Sequence, residues 1–187
     1  MGALLTNKDK ARPGRGLMRF IRSRDGSVAI EFGALAIPFA ALVFAILESC
    51  ISFAGQQLLA NTTDDIARKL RTGQLRAADV NEGGLRTLIC DQMKIIVSSD
   101  CPGLVFDLRK VDSFDEASKL GISLNAAKDD IDASGFGVTP GPAMSKNVLR
   151  VYYKWPVMTD LIRKSVSNLK DNKTLLFSMS TWQNEPF

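Results

Sequence analysis

The residues that could do chemistry in this chain are few, because the sequence has no histidine. The 187 residues include three cysteines. Without histidine, the chain alone supplies neither a Ser-His-Asp nor a Cys-His catalytic centre, nor a histidine-ligated metal. Three cysteines also fall short of a four-ligand zinc site. We therefore expect no enzyme activity, no metal site and no cofactor site.

One charged residue stands out because apolar residues surround it. Glu31 is the only charged residue between positions 28 and 47. Gly26, which ends a basic leader, and Ser27 precede it by five and four positions. A carboxylate within a bilayer segment is costly and usually marks function. The simpler alternative is that Glu31 reaches back to the nearby membrane surface.

The cysteines differ by position. Cys90 and Cys101 are eleven positions apart, and an oxidising compartment favours a disulfide between them. Closing so short a loop is worth roughly 3 kcal/mol in the chain-entropy model. Cys50 follows the apolar run, and we expect it to pack as a small apolar residue.

Three other patterns have simpler explanations than function. The stretch 135–137 lacks the strand–helix setting of a dinucleotide loop. The acidic residues at 129–132 lack calcium-loop spacing and predict a solvated turn. The aromatic residues Tyr152, Tyr153 and Trp155 lie in a near-neutral body and predict core and sheet surface, not base stacking.

Charge and hydropathy place the N-terminal third in a membrane. Residues 1–26 have net charge +5 and residues 27–187 have −1, which together give the +4 of the chain. A neutral body argues against nucleic-acid binding. The twenty residues 28–47 would rise about 30 Å as a helix, the thickness of a bilayer core. Positive charge before the span predicts a cytoplasmic N-terminus.

Four interpretations of this segment compete. The first is a plain signal anchor, and the second is a secretory signal cleaved before Gly55. The third is a lipoprotein signal ending at Cys50, and the fourth is a leader cleaved after Gly26. Glu48 fits poorly in a lipoprotein signal. Leu59, Thr63, Ile66 and Leu70 recur on one helical face, so an amphipathic helix continues past the apolar run. A cleaved secretory signal has no use for such a continuation. We therefore predict one helix from Ser27 to about Thr72, bent at Pro38.

The remaining residues, 73–187, predict a small α+β domain. Helices are expected at about 80–97 and 158–169, and strands at 103–109, 148–155 and 174–182. In the second strand, Leu149, Val151, Tyr153 and Trp155 would face the core, while Arg150 and Lys154 would face solvent. Residues 121–146 predict a long loop with one helical turn at 126–131. The expected sheet has about three antiparallel strands packed on helices.

The motif Gly26-Ser27-Val28-Ala29-Ile30-Glu31-Phe32 resembles the prepilin-peptidase site of type IV pilins and pseudopilins. In that family, cleavage follows the glycine and glutamate is the fifth mature residue. Together with Cys90 and Cys101, the 151–156 strand and the C-terminal 183–187, the chain resembles the TadE-like pseudopilins of tight-adherence (Flp) pilus systems. It departs from them at Phe32, where processed members often carry tyrosine.

This resemblance implies a non-enzymatic minor pseudopilin or assembly factor of an adhesive pilus. It implies a leader at 1–26, an inner-membrane helix at 27–54 that continues to about 72, and a periplasmic domain at 73–187. The implied partners are membrane lipid, a prepilin peptidase, and other pilins, pseudopilins and tight-adherence assembly proteins. The alternative is a single-pass anchor that carries a periplasmic ligand-binding or sensory domain.

Overall fold

The computed structural model describes residues 27–157 and 167–186. The leader with Gly26, and most of the helix predicted at 158–169, lie outside these residues. The chain divides into two compact units, Met1–Leu42 and Val43–Phe187. The predicted boundary near residue 72 between helix and domain stays a prediction.

A single long helix, α1, spans Ser27–Arg71 and has the 45 residues expected from the sequence. It continues through Pro38, so the predicted bend at that residue stays a prediction. Gly73 follows the helix with φ of 74°, a conformation that glycine adopts without steric cost. The N–H of Gly73 donates to the carbonyl of Leu70, and that of Leu75 to the carbonyl of Lys69. These bonds satisfy carbonyls at the helix end and terminate it.

Two shorter α-helices follow within residues 72–157. Helix α2 spans Glu82–Met93, within the predicted 80–97, and the side chain of Asn81 caps it by accepting from the N–H of Gly84. Helix α3, Phe114–Lys119, was not expected. Its signal is a short capping motif, because the hydroxyl of Ser113 accepts from the N–H of Glu116. Short 3₁₀ turns lie at Ala77–Asp79 and Lys170–Asn172.

The sheet has four strands in the order β2-β1-β3-β4. The strands are β1 (Leu104–Val111), β2 (Val138–Thr139), β3 (Lys146–Pro156) and β4 (Lys173–Gln183). The three predicted strands are β1, β3 and β4, and they pair antiparallel. The two-residue β2 lies in the predicted loop and pairs parallel to β1. The α+β class is confirmed, with a mixed sheet in place of a purely antiparallel one.

The inner face of the sheet packs on α1 and α2. Alternate β3 residues Leu149, Val151, Tyr153 and Trp155 join one buried cluster with Leu59, Ile66 and Leu70 of α1 and Leu85 and Ile89 of α2. These side chains face the core, as the spacing of apolar residues in the strand and the helices predicted. The hydrophobic pattern therefore identified the core correctly.

The outer face corrects the sequence analysis, because Arg150 is buried there. Its side chain is 4% exposed and lies opposite Asp107, whose side chain is fully buried. Arg150 also donates to the carbonyl of Gly121 and lies over the ring of Phe136, 4.9 Å from its centroid. The segment between β1 and β3 thus covers this face as a second layer. Its residues 126–130 form turns and bends, not the predicted helical turn.

Asp130 also differs from the predicted solvated turn. Its side chain is 13% exposed and accepts from Lys154 at 2.5 Å and Lys170 at 2.8 Å. Lys154 therefore turns back onto the covering segment and does not simply point into solvent. Burial by itself raises the pKa of Asp130, but bonds from Lys154, Lys170 and the N–H of Ile131 outweigh it and hold the pKa well below its usual range.

Asp130→Asn should lower the free energy of unfolding by roughly 1–2 kcal/mol at neutral pH. A depressed pKa stabilises the fold above the unfolded-state pKa, about 3.9, and this contribution is lost as the pH falls further. The difference between wild type and variant should therefore shrink below about pH 4. Denaturant unfolding at pH 7 and pH 3 checks this, with Asp129→Asn as the control. An undiminished difference at pH 3 would contradict the ion-pair explanation.

Candidate functional site

The candidate site begins at the first residue of α1. Ser27 is the first helical residue and Glu31 lies four residues further. Four residues correspond to slightly more than one turn and a rise of about 6 Å, so the two positions lie on nearly the same face of the helix. Gly26, the other half of the predicted cleavage site, lies outside the described residues.

This arrangement suits a charged N-terminus at Ser27. An α-amino group is mostly protonated at neutral pH. The first N–H groups of a helix also carry partial positive charge. The first turn of α1 contains no acidic residue, so Glu31 is the first carboxylate along the helix that offers the opposite charge. The exposed side chain of Glu31 lies where it can reach an amine of its own chain or of a neighbouring one.

Apolar side chains are exposed all around the helix that follows. Val28, Ile30, Phe32, Leu35 and Ile37 are each 73–75% exposed. An apolar surface of this extent marks an interaction site or a membrane-spanning segment. By length and composition, α1 is the one helix in the described part of the chain that can cross a membrane. The predicted single-pass anchor agrees with this surface.

The second half of α1 is fastened to the sheet within the unit Val43–Phe187. Gly55 lies against Trp155, and a Cβ at this position would be 2.9 Å from the indole ring. The next residue, Gln56, donates its amide N–H to the carbonyl of Phe177 at 2.8 Å and accepts from the N–H of Phe177 at 3.2 Å. Since β4 is an edge strand, Gln56 satisfies backbone groups that would otherwise be open to another chain.

The last turn of α1 is fastened as well. The N–H of Glu185 donates to the carbonyl of Arg71 at 2.9 Å. The side chains of these residues form an exposed ion pair at 3.5 Å. Contacts at Gly55, Gln56 and Arg71 thus hold about four helical turns of α1 against β3, β4 and the residues that follow β4.

The predicted disulfide between Cys90 and Cys101 is present, with Cα atoms 5.8 Å apart. It joins α2 to the loop before β1. Arg86 reinforces the same junction by donating to the carbonyls of Cys101 and Leu104, both at 3.3 Å. Cys50 is free and exposed, not packed as expected.

The described residues contain no group of three or more acidic, cysteine or histidine side chains that could hold a metal ion. The acidic residues at 129–132 do not converge on one point. Asp130 turns towards two lysines, while Asp129 accepts from the amide of Asn125 and Asp132 from the N–H of Ser134.

The helix segment that contains Ser27 and Glu31 also matches the model of a protein family. Residues 26–68 match the family model of TadE-like proteins. The resemblance stated from the sequence is thereby confirmed for this segment. The TadE-like match starts at Gly26, includes Glu31 and extends through the part of α1 that packs on the sheet. No curated protein and no solved structure matches the chain.

The TadE-like match covers residues 26–68 of the 187. It includes both the exposed apolar residues of α1 and most of the face of α1 that packs on the domain. Sequence reasoning found the first part from hydropathy and the second from its period. It missed Gln56, because the partner of Gln56 is 121 positions away and the sequence carries no signal for that contact.

Sequence reasoning also missed the pairing of Asp107 and Arg150. A usable signal was present, since each residue stands in the middle of a strand of apolar neighbours. An acid and a base at the centres of two such strands predict a buried pair, because an isolated charge is rarely buried.

Proposed function

We propose that this protein is a non-enzymatic minor pseudopilin or assembly factor of a tight-adherence pilus. The observation that carries the proposal is the TadE-like match at residues 26–68, which begins at the proposed cleavage site. The exposed apolar surface of α1 supports the proposal, because it suits both lipid and the helices of other pilus subunits. The proposed partners are a prepilin peptidase, pilins, pseudopilins and other assembly proteins of the same system.

In this proposal α1 crosses the inner membrane once. The excess of basic residues at positions 1–26 places the N-terminus in the cytoplasm and the α+β domain in the periplasm. A disulfide between Cys90 and Cys101 agrees with this location, since disulfides persist in the oxidising periplasm.

Maturation would remove the leader after Gly26 and leave the amine of Ser27 at the helix start. A lone charge at the edge of an apolar segment is unfavourable. Glu31 offsets it, although much of the Coulomb gain only compensates desolvation. We therefore expect the pair to set the register between subunits more than the stability of the fold.

Deleting the gene tests this proposal against the alternative of a sensory anchor. Under the proposal, deletion abolishes surface pili and adhesion, and the full chain supplied from a plasmid restores both. A sensory anchor would leave pilus assembly intact when pilin genes are expressed from a constitutive promoter. Normal piliation of the deletion strain under that promoter would refute the pilus role.

A further inference from the structure

An apolar groove lies beside α1 just past the end of the apolar run. It has a volume of about 320 Å³ and is lined by Ser49, Ser52, Phe53, Gln56, Thr174 and Leu176. Its polar members are largely occupied. The hydroxyl of Ser49 donates to the carbonyl of Ala45 at 2.9 Å, and the amide of Gln56 is held by Phe177. The groove therefore presents mainly the hydrocarbon of Phe53, with the buried Leu176 at its base.

Exposed apolar side chains continue past the end of the apolar run, at Phe53 on the side of the groove and at Ile51 on the opposite side of the helix. Ile51 is 54% exposed and Phe53 is 75% exposed, although both follow Glu48. Such side chains in water would be unfavourable in a periplasmic domain. The apolar surface of α1 thus continues past the residue where the uncharged stretch ends.

The position of Glu48 sets the depth of the groove. An ionised carboxylate is costly in the hydrocarbon core, so the core ends near Glu48. From Glu48 to Phe53 the helix rises about 7.5 Å. The headgroup layer on each side of the core is roughly 5–8 Å thick. Ile51, Phe53 and the near end of the groove therefore fall within the headgroup layer, and the far end at Gln56 lies about 12 Å past Glu48, beyond that layer.

We propose that the domain rests on the membrane surface and that lipid fills this groove. Acyl chain and glycerol backbone would cover Phe53 and Leu176, so the start of β4 lies at the membrane surface. This inference rests on the proposed membrane span of α1. It adds a lipid-contact surface on the folded domain, which fixes how deeply the domain sits.

The two tryptophans of the chain provide matched reporters. Trp155 lies behind the groove, because Trp155 and Leu176 both flank Gly55. Trp182 lies eight residues along β4 from Thr174, a distance of roughly 26 Å. The variant Trp182→Phe leaves only the reporter near the groove, and Trp155→Phe leaves only the distant one.

The experiment reconstitutes the full chain in phosphatidylcholine vesicles whose acyl chains carry bromine near the glycerol backbone. Bromine quenches tryptophan at short range. Trp155 should lose a clearly larger share of its emission than Trp182, which lies much farther from the bromine. If Trp155→Phe does not fold, comparing wild type with Trp182→Phe gives the same difference. Emission of Trp155 unaffected by bromine would overturn the inference.

Two further variants test the role of the groove. Phe53→Ser should weaken quenching of Trp155, because it removes the apolar contact that draws the domain to the surface. Ile95→Ser is the control, since Ile95 is 79% exposed elsewhere on the domain, and it should leave quenching unchanged. Equal effects of the two variants would contradict a specific contact at the groove.

The same vesicles separate failure of this inference from failure of the proposed span. Alkaline extraction that releases the chain from the vesicles would refute the span itself. A chain that resists extraction while Trp155 stays unquenched refutes only the lipid-filled groove. Quenching that disappears as the protein-to-lipid ratio rises would show a second copy of the chain displacing lipid from the groove, and would overturn lipid as its main occupant.

Discussion

Cells whose only copy of this protein carries Glu31→Ala are expected to lose their tight-adherence pili and their adhesion. The substitution leaves the apolar run intact and makes it more apolar, so membrane insertion should not suffer. It removes the first carboxylate of α1, and the amine of Ser27 would remain at the helix start without this opposite charge. Electron microscopy of surface pili and an adhesion assay measure the effect.

The matched control replaces a second acidic residue of the same helix, and a further variant blocks the proposed cleavage of the leader. Asp64→Ala removes an exposed carboxylate of α1 beyond the apolar run and should leave piliation intact. Gly26→Leu should block cleavage, because a bulky side chain crowds the peptidase at the cut. The precursor should then accumulate. If Gly26→Leu migrates like wild type and both it and Glu31→Ala support piliation, the pseudopilin proposal fails.

Asp107→Ala should cause the largest loss of domain stability, about 3–5 kcal/mol. Arg150 donates to Asp107 through Nε at 3.1 Å and Nη2 at 2.7 Å, and Arg109 does so at 2.8 and 2.6 Å. The N–H of Gly137 also donates to the carboxylate at 3.1 Å. Removing the carboxylate leaves the guanidinium of Arg150 buried without its charge partner. Denaturant unfolding of the full chain in detergent measures the loss.

Two controls separate the buried pair from ordinary surface charge. Asp115→Ala removes an exposed carboxylate paired with Lys119, and such pairs are worth roughly 0–1 kcal/mol. The double variant Asp107→Leu with Arg150→Met should recover most of the loss, because well-packed apolar residues replace a buried ion pair at little cost. A double variant as unstable as Asp107→Ala would contradict this explanation.

The sequence predicted those parts of the fold that depend on the regular spacing of apolar residues along one helix or strand. The long helix Ser27–Arg71, the inner face of β3 and the core face of α1 all follow from the spacing of apolar residues. Cys90 and Cys101 were predictable from their spacing and compartment. At the candidate site, Glu31 was predictable because a single charge in an apolar run is rare.

The remaining features depend on contacts between distant residues. Lys154 was expected in solvent because nothing near it in β3 indicates that residues 121–137 cover the outer face. Arg150 was expected there too, although its apolar neighbours on both sides carried a signal for burial. The strand β2 has only two residues, too few for a period, and it exists because β1 offers an unpaired edge. Gln56 and Phe177 meet only because α1 lies along β4. Local patterns carry no information on such tertiary contacts.

The fastening of α1 to the domain gives the proposed function a mechanical consequence. Gln56 holds the helix to β4 and Arg71 holds it to Glu185, which follows β4, while Gly55 allows close approach to Trp155. Forces applied to the second half of α1 would therefore reach the sheet directly. In the proposed role, this coupling would let a contact on the helix and a contact on the domain influence each other.

The mature N-terminus tests the central claim most directly. The intact mass of the protein purified from membranes of its own host, with the prepilin peptidase present, should correspond to a chain that begins at Ser27. Full-length chain with the leader retained would contradict maturation after Gly26 and favour a plain membrane anchor. A chain that begins at Gly55 would contradict the membrane span as well, since cleavage there removes the apolar run.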